Sequence, residues 1–305
     1  MPGSQDFVDD PRNQQVMVYV NGDFVPRDLA SVSVFDSGFG FGDGIWDSFR
    51  LYKGRLVFAD LHLDRLFRGL RAVDIDPGLS KDELLAAVIE TLRVNGMVDG
   101  VHVRLMITRG LRRTPNQDPR QAVGGPTVVI VAEYKQPSTV VSSTGLALFT
   151  SSFRCARPDM LAMHLNSHSR LPLILALQQA IRAGADEALM LDADGYVSSC
   201  NSTNFFFVAG GRVQTSTGRA SFPGITRAHL IELCRRHAIP VELGDFTLEA
   251  VYGADEAFVT GTFGGVTPVQ SVDGRQLAPI PGTMTRRLQE LYGRLVEEQV
   301  GVPVA

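Results

Sequence analysis

Apolar and polar residues alternate along residues 15–26 (QVMVYVNGDFVP), a period of two that predicts strand on either side of Asn21-Gly22, a pair that favours hairpin turns. The pattern recurs in SFRLYKGRLVF around Lys53-Gly54. Then the period changes. Leu61, Leu63, Leu66, Leu70 and Val73 recur near helical spacing, and Asp76-Pro77-Gly78 ends the run. Ser80 followed by Glu83 is a capping box that opens a second helix, KDELLAAVIETLRVNG. VHVRLMITRG and PTVVIVAEY return to strand. The pattern predicts an N-terminal α+β domain over 15–133, behind a flexible arm over 1–14. Residues 134–138, Tyr-Lys-Gln-Pro-Ser, read as a linker.

The second domain is expected over 139–305. GLALFTSSFR is a strand, and RLPLILALQQAIRAG is a helix with Pro172 in its first turn and Gly184 as C-cap. Asp194-Gly195 and Gly210-Gly211 each turn a hairpin. Thr226–His237 reads as a helix and EAFVTGT as a buried strand. No internal repeat or low-complexity stretch interrupts the chain.

Composition narrows the function classes. The net charge of -4 gives no electrostatic reason to expect nucleic acid or an anionic membrane as partner. No apolar run approaches the roughly 18 residues of a membrane span, and the polar, acidic start is unlike a signal peptide. Cys155, Cys200 and Cys234 are odd in number and far apart. That spacing points to a reducing, cytoplasmic setting, with no disulfide framework and no metal site.

Three segments are candidates for holding an anion. Pro223-Gly224-Ile225-Thr226-Arg227 is a glycine turn feeding a helix, whose free N–H groups and dipole suit a phosphate. Thr260-Gly261-Thr262-Phe263-Gly264-Gly265 follows a buried strand, where the backbone can approach a ligand. Arg65 lies within His62-Leu63-Asp64-Arg65-Leu66. Taken singly, each is weak: a glycine turn before a helix is more often just a turn, and a helical arginine more often part of a solvated face.

In their order and spacing these segments, with DSGFGFGDGIWDSFRLYKGRL, VRLMITRG, GADEALMLDADGYV, NSTNFFFV and TPVQSVDGR, resemble the fold-type IV pyridoxal-phosphate (PLP) enzymes. These are the class IV branched-chain and D-amino-acid aminotransferases and aminodeoxychorismate lyase. The resemblance runs from about Val18 to Arg275. It implies a two-domain α+β fold with a barrel-like C-terminal domain, a cofactor cleft between the domains, and a homodimer. By motif, it implies that Arg65, Ile225, Thr226 and Thr262 hold the cofactor phosphate. Arg104 matches a position that binds a substrate carboxylate in some members, a task suited to a bidentate guanidinium; a strand-end ion pair is its plain alternative. Phe41 and Trp46, around the glycine-rich FGFGDG stretch, fall in the region that lines the substrate side, or Trp46 is simply core.

The family lysine fails to appear. Counting back from Asp186 puts its position at Asn166, in Asn166-Ser167-His168-Ser169-Arg170-Leu171; a second register puts it at Met163. The only lysines are Lys53, Lys81 and Lys135, none at that position. The glutamate that pairs with the pyridine nitrogen is replaced by Ser199. An amide neither forms a Schiff base nor acts as general base at neutral pH. His164, His168 and Arg170 are the substitutes the sequence offers, with Cys200 a nucleophile only if its pKa is depressed; each is otherwise a structural residue.

The expectation is therefore an aminotransferase- or lyase-like enzyme for an amino acid, a 2-oxo acid or a related anion, with PLP or PMP held non-covalently or with no cofactor. Three alternatives stay open. One is a cofactor-free lyase, isomerase or hydrolase using His164 or His168 with arginine anchors. Another is a non-catalytic binding protein on the same scaffold. The last is a true aminotransferase using an unexpected lysine, Lys135 being the nearest candidate.

Overall fold

A computed structural model of the chain describes residues 3–160, 163–277 and 279–298, and the backbone of 302–303. Two compact units share them. One, the sheet unit, takes Asp9–Gln136, Leu165–Arg170 and the 302–303 pair; the other, the barrel unit, takes the first eight residues, Pro137–His164 and Leu171–Glu298.

In the sheet unit, β1 (Met17–Val20) and β2 (Asp23–Pro26) form the expected hairpin, with Asn21 and Gly22 both at positive φ. A short α1 (Ser37–Phe41) precedes β3 (Gly44–Tyr52), which turns at Lys53-Gly54 into β4 (Arg55–Val57). Helices α2 (Ala59–Ala72) and α3 (Lys81–Val94) follow, and the Ser80–Glu83 capping box is present in full. β5 (Val101–Thr108) and β8 (Thr127–Tyr134) flank a small pair, β6 (Leu111–Arg112) with β7 (Ala122–Val123). The large sheet has the order 302–303, β4, β3, β5, β8, β1, β2.

Strand periodicity decides what each sheet face carries. Ile45, Phe49, Leu51, Val101, Val103, Leu105, Ile107, Val128, Ile130 and Ala132 share one face, where Leu63, Leu66 and Leu70 of α2 and Leu84, Val88 and Leu92 of α3 complete one buried cluster. The other face carries the alternate residues Trp46, Ser48 and Arg50 of β3, with His102 and Arg104 of β5.

In the barrel unit, α4 (Thr139–Thr144) leads into β9 (Leu146–Thr150), followed by α5 (Leu171–Arg182), β10 (Glu187–Leu191), β11 (Val197–Cys200), β12 (Asn204–Ala209) and β13 (Arg212–Ser216). Then come α6 (Ile225–Arg236), β14 (Val241–Gly244), α7 (Leu248–Tyr252), β15 (Glu256–Gly261), β16 (Gly265–Val272), β17 (Arg275–Gln276) and α8 (Thr283–Glu298). The strands run β11, β10, β9, β16, β15, β12, and β12 also pairs with β11, which closes a six-stranded barrel. Phe205, Phe207, Val259, Leu148 and Leu189 belong to the core on one side of its wall.

The N-terminal stretch behaves differently from the sequence expectation of a separate arm. Ser4 is buried and donates through N–H and Oγ to Glu187 of β10, and Phe7 bridges to Pro137. Further on, Asn13 is buried because its amide exchanges two hydrogen bonds with the Tyr134 backbone, at 2.9 and 2.8 Å. Burial of polar side chains with every partner supplied costs little, which is why a polar segment packs here. Residues 165–170 also depart from expectation, joining the sheet unit although they lie in the sequence of the second domain. Among the described residues no helix is long and apolar enough to cross a membrane.

Candidate functional site

The departure at 165–170 builds the site. Ser167 forms an antiparallel bridge with Ile45, the Trp46 N–H donates to the Asn166 carbonyl (2.9 Å), and the His168 N–H donates to the Gly44 carbonyl (3.0 Å). The segment thus lies beside the start of β3, held by a single bridge. Because directly opposed residues share a face, Ser167 sits on the Ile45 side while Asn166 and His168 sit on the Trp46 side. Gly44 makes this approach feasible: a Cβ there would lie 2.7 Å from the Ile107 carbonyl and 2.8 Å from the His168 ring.

Trp46 is the centre of the face. Its Nε1 donates to the Ser167 carbonyl at 3.2 Å. The Arg104 guanidinium stacks 3.9 Å from its ring centroid, and that of Arg170 lies 5.1 Å away. Arg170 also donates through Nη2 to the Asn166 side-chain oxygen, and Asn166 is buried. α5 begins at Leu171, so the contact is made within the irregular chain before the helix.

Burial pulls the Arg170 guanidinium down to about 10, with Arg104 and Arg65 adding repulsion, so it stays charged at neutral pH. Arg104 is also pulled below its ordinary range, mainly by burial. Neither forms an ion pair among the described residues. His168 is held below its usual range by burial, against the raising effects of the Ile45 backbone and Asp36. Its Nε2 is buried without a hydrogen-bond partner among the described residues.

Arg65 has a different setting. It lies on α2 and is gripped by Asp47, with Nε on Oδ2 at 2.8 Å and Nη2 on Oδ1 at 2.7 Å, while His62 Nδ1 is 2.8 Å from the same Oδ1. Burial alone would raise the Asp47 pKa, but His62 and Arg65 hold it down, to about 2. Sequence reading named Arg65 and missed this triad. The signal was present: Asp47 occupies the apolar phase of β3, between Ile45 and Phe49, and His62 and Arg65 are spaced i, i+3 on a helix.

The remaining positions are less converging. Phe41 ends α1, partly exposed, with Arg112 5.1 Å from its ring. His164 is exposed and belongs to the barrel unit. In that unit Ser199 is buried, donating to the Cys200 carbonyl at 3.3 Å with Cys155 Sγ 3.9 Å away. Burial, with Glu187 nearby, pushes the Cys200 thiol well above its ordinary range, so the depressed pKa that a nucleophile there requires is not met. Gly224 caps α6, placing Ile225 and Thr226 in its first turn; Thr226 Oγ1 is 3.3 Å from the Tyr292 hydroxyl. A Cβ on Gly224 would collide with Asn204 Oδ1, which fixes that turn as glycine. Thr262 lies in the turn between β15 and β16.

The family model for amino-transferase class IV matches residues 44–272, from the first residue of β3 to the last of β16. The chain belongs to this family. It is 37% identical to branched-chain-amino-acid aminotransferase-like protein 1 of Arabidopsis thaliana over 96% of its own length and 53% of the relative's. It thus spans about half the length of that relative. The putative branched-chain-amino-acid aminotransferase of Methanocaldococcus jannaschii is also 37% identical, over 90% of this chain and 94% of the relative. Among solved structures, the T.th. branched-chain amino acid aminotransferase with pyridoxamine 5'-phosphate superposes with a TM-score of 0.85 at 28% identity, covering 93% of this chain and 95% of that one.

Proposed function

We propose that this class IV chain acts on a small carboxylate-bearing substrate, an amino acid or 2-oxo acid, at the Trp46 face, and takes PLP or PMP without a covalent bond. The observation that carries the proposal is the setting of Asn166. It occupies the motif position of the family lysine on the same sheet face as Trp46 and Arg104, and its side chain is bonded to Arg170.

The residues present fit the cofactor only in part. The motif positions for its phosphate, Arg65, Ile225, Thr226 and Thr262, are kept. At the anchor, an amide nitrogen is not nucleophilic, and no rotamer of Asn166 changes that. A bound PLP or PMP would supply an electron-withdrawing ring. Ser199, in place of a carboxylate, offers the ring nitrogen no charge. Among this chain's own groups, Arg104 orients a carboxylate through its planar fork. His168, neutral because it is buried and carrying an unpartnered Nε2, is the proton acceptor. The Trp46 ring shields that end of the face from water.

Equilibrium dialysis with PLP, PMP and a 2-oxo acid, followed by absorption spectroscopy, tests the reading. Saturable binding that dialyses away supports it. Failure of all three to bind removes it.

One observation favours a second reading, transamination through Lys135. Its N–H continues the β8 ladder to the Gly100 carbonyl at 2.9 Å, and burial, then Arg104, lower its amine against the opposing pull of Glu133. A lysine with a depressed pKa is a competent nucleophile. Loss of transaminase activity in Lys135→Ala, with binding intact, is the result that reading requires.

A further inference from the structure

Two guanidiniums meet at one indole on the Trp46 face, and each is largely withdrawn from solvent. Partly buried cations normally sit against a carboxylate, because desolvation is costly when the charge is left alone. The same unit shows the normal solution at Arg65, where Asp47 accepts two of its hydrogen bonds. Arg109 and Arg112 likewise share Asp43, each at 2.7 Å. Neither Arg104 nor Arg170 touches such an anion among the described residues; Glu133 and Asp47 favour the Arg104 charge from a distance, whereas Arg170 meets only the repulsion of Arg104 and Arg65. The only side-chain oxygen that Arg170 meets there is the neutral amide oxygen of Asn166.

We propose that Arg170 is the anion-recognition residue of this face: steered by Asn166 and stacked on Trp46, it receives the carboxylate of a 2-oxo acid or amino acid at the position where the family carries its lysine. The proposal rests on the reading that this face takes a small carboxylate. It adds Arg170 beside Arg104 as the principal carboxylate contact, and the manner of holding. A fixed, permanently charged fork replaces an amine that would condense with a carbonyl, so the bound acid keeps its carbonyl and no bond is made or broken in binding. Asn166 is a positioning residue here. Its carbonyl is fixed by the Trp46 N–H and its side-chain oxygen turns the fork toward the indole.

Trp46 is the only tryptophan in the chain, so its fluorescence reports on this face alone. The experiment titrates the full-length protein with 2-oxoglutarate and with 4-methyl-2-oxopentanoate while following Trp46 emission, in wild type, Arg170→Gln and Arg170→Lys. A charge-assisted bidentate contact predicts an affinity loss of about 10–100-fold in Arg170→Gln, with partial recovery in Arg170→Lys, which keeps charge without the fork. In parallel, phenylglyoxal modification of the wild-type protein, read by peptide mass spectrometry, is expected to slow at Arg170 when either acid is present. That second measurement needs no variant to fold. Unchanged affinity in Arg170→Gln together with no protection at Arg170 overturns the inference and leaves the broader reading standing. No response of wild-type Trp46, and no heat of binding for either acid, removes the broader reading itself.

Discussion

Trp46 and Asp47 are neighbours in β3, yet they face opposite sides of the sheet and live under opposite rules. On the helix-covered side, Asp47 answers the Arg65 charge and bonds a His62 that burial holds below its usual range, all within 2.8 Å, so little charge is left over. On the other side, Trp46 carries Arg104 and Arg170 with no ion-pair partner for either among the described residues. The first arrangement is self-sufficient, as a structural ion network should be. The second is incomplete, and incomplete charge in a sheltered place is the mark of a ligand site. The difference teaches where the protein itself still leaves a charge unanswered: at Arg170, which meets only desolvation and the repulsion of Arg104 and Arg65.

The sharpest way to break the comparison is to remove the anion from the balanced side. Asp47→Asn leaves the buried Arg65 guanidinium without its counter-charge and is expected to destabilise by about 3–5 kcal/mol, read from a urea unfolding midpoint. Arg170→Gln, by contrast, is expected to leave that midpoint unchanged or slightly raised, since it removes a cation with no ion-pair partner among the described residues.

Acid should separate the two sides next. His102, on the Trp46 side, is depressed to about 3 by burial, then by Lys135 and Arg104. A histidine held neutral in the fold takes up a proton only when unfolded, so its contribution is intact above the unfolded pKa of about 6.5 and is lost as pH falls from there toward 3. The total is on the order of a few kcal/mol. Asp47, depressed to about 2, contributes above the carboxylate range and loses it only between about pH 4 and 2. Stability measured against pH should therefore fall in two stages; His62 and His168, also held low by burial, share the first with His102, so His102→Gln should reduce the first while sparing the second.

Smaller effects follow. Gly44→Ala places a methyl against the Ile107 carbonyl and the His168 ring and should cost about 1–3 kcal/mol, with the 165–170 segment exchanging its amide hydrogens faster. Trp46→Phe keeps a ring but weakens the cation–π contact by about 0.5–1 kcal/mol. It should weaken carboxylate affinity only a few-fold by calorimetry.

Much of this was legible in the sequence. The hairpins at Asn21-Gly22 and Lys53-Gly54, the Ser80 capping box and the two sheet-unit helices follow from period and turn chemistry. So does α6 behind Gly224. Even α8 carries its signal, in Leu288, Leu291, Tyr292, Leu295 and Val296 at helical spacing, though it was not read. What the pattern could not give is long-range pairing. Nothing local in Asn166-Ser167-His168 says that it will lie beside β3, because its bridge partner, Ile45, lies far back in the chain and the bridge is one residue long. That the chain's lysines are Lys53, Lys81 and Lys135 was plain from counting. That Arg170 reaches back to Asn166, and that Arg65 is already answered by Asp47, depends on that pairing and on the packing of α2.

The most direct test of the account is covalent trapping. The full chain is incubated with stoichiometric PLP, reduced with borohydride, and its peptides are weighed, with Asn166→Lys treated in parallel. The account predicts no substantial adduct on Lys53, Lys81 or Lys135 in the wild type and an adduct on the new residue in the variant. A stoichiometric adduct on Lys135 in the wild type would contradict it, and would return the protein to ordinary lysine chemistry.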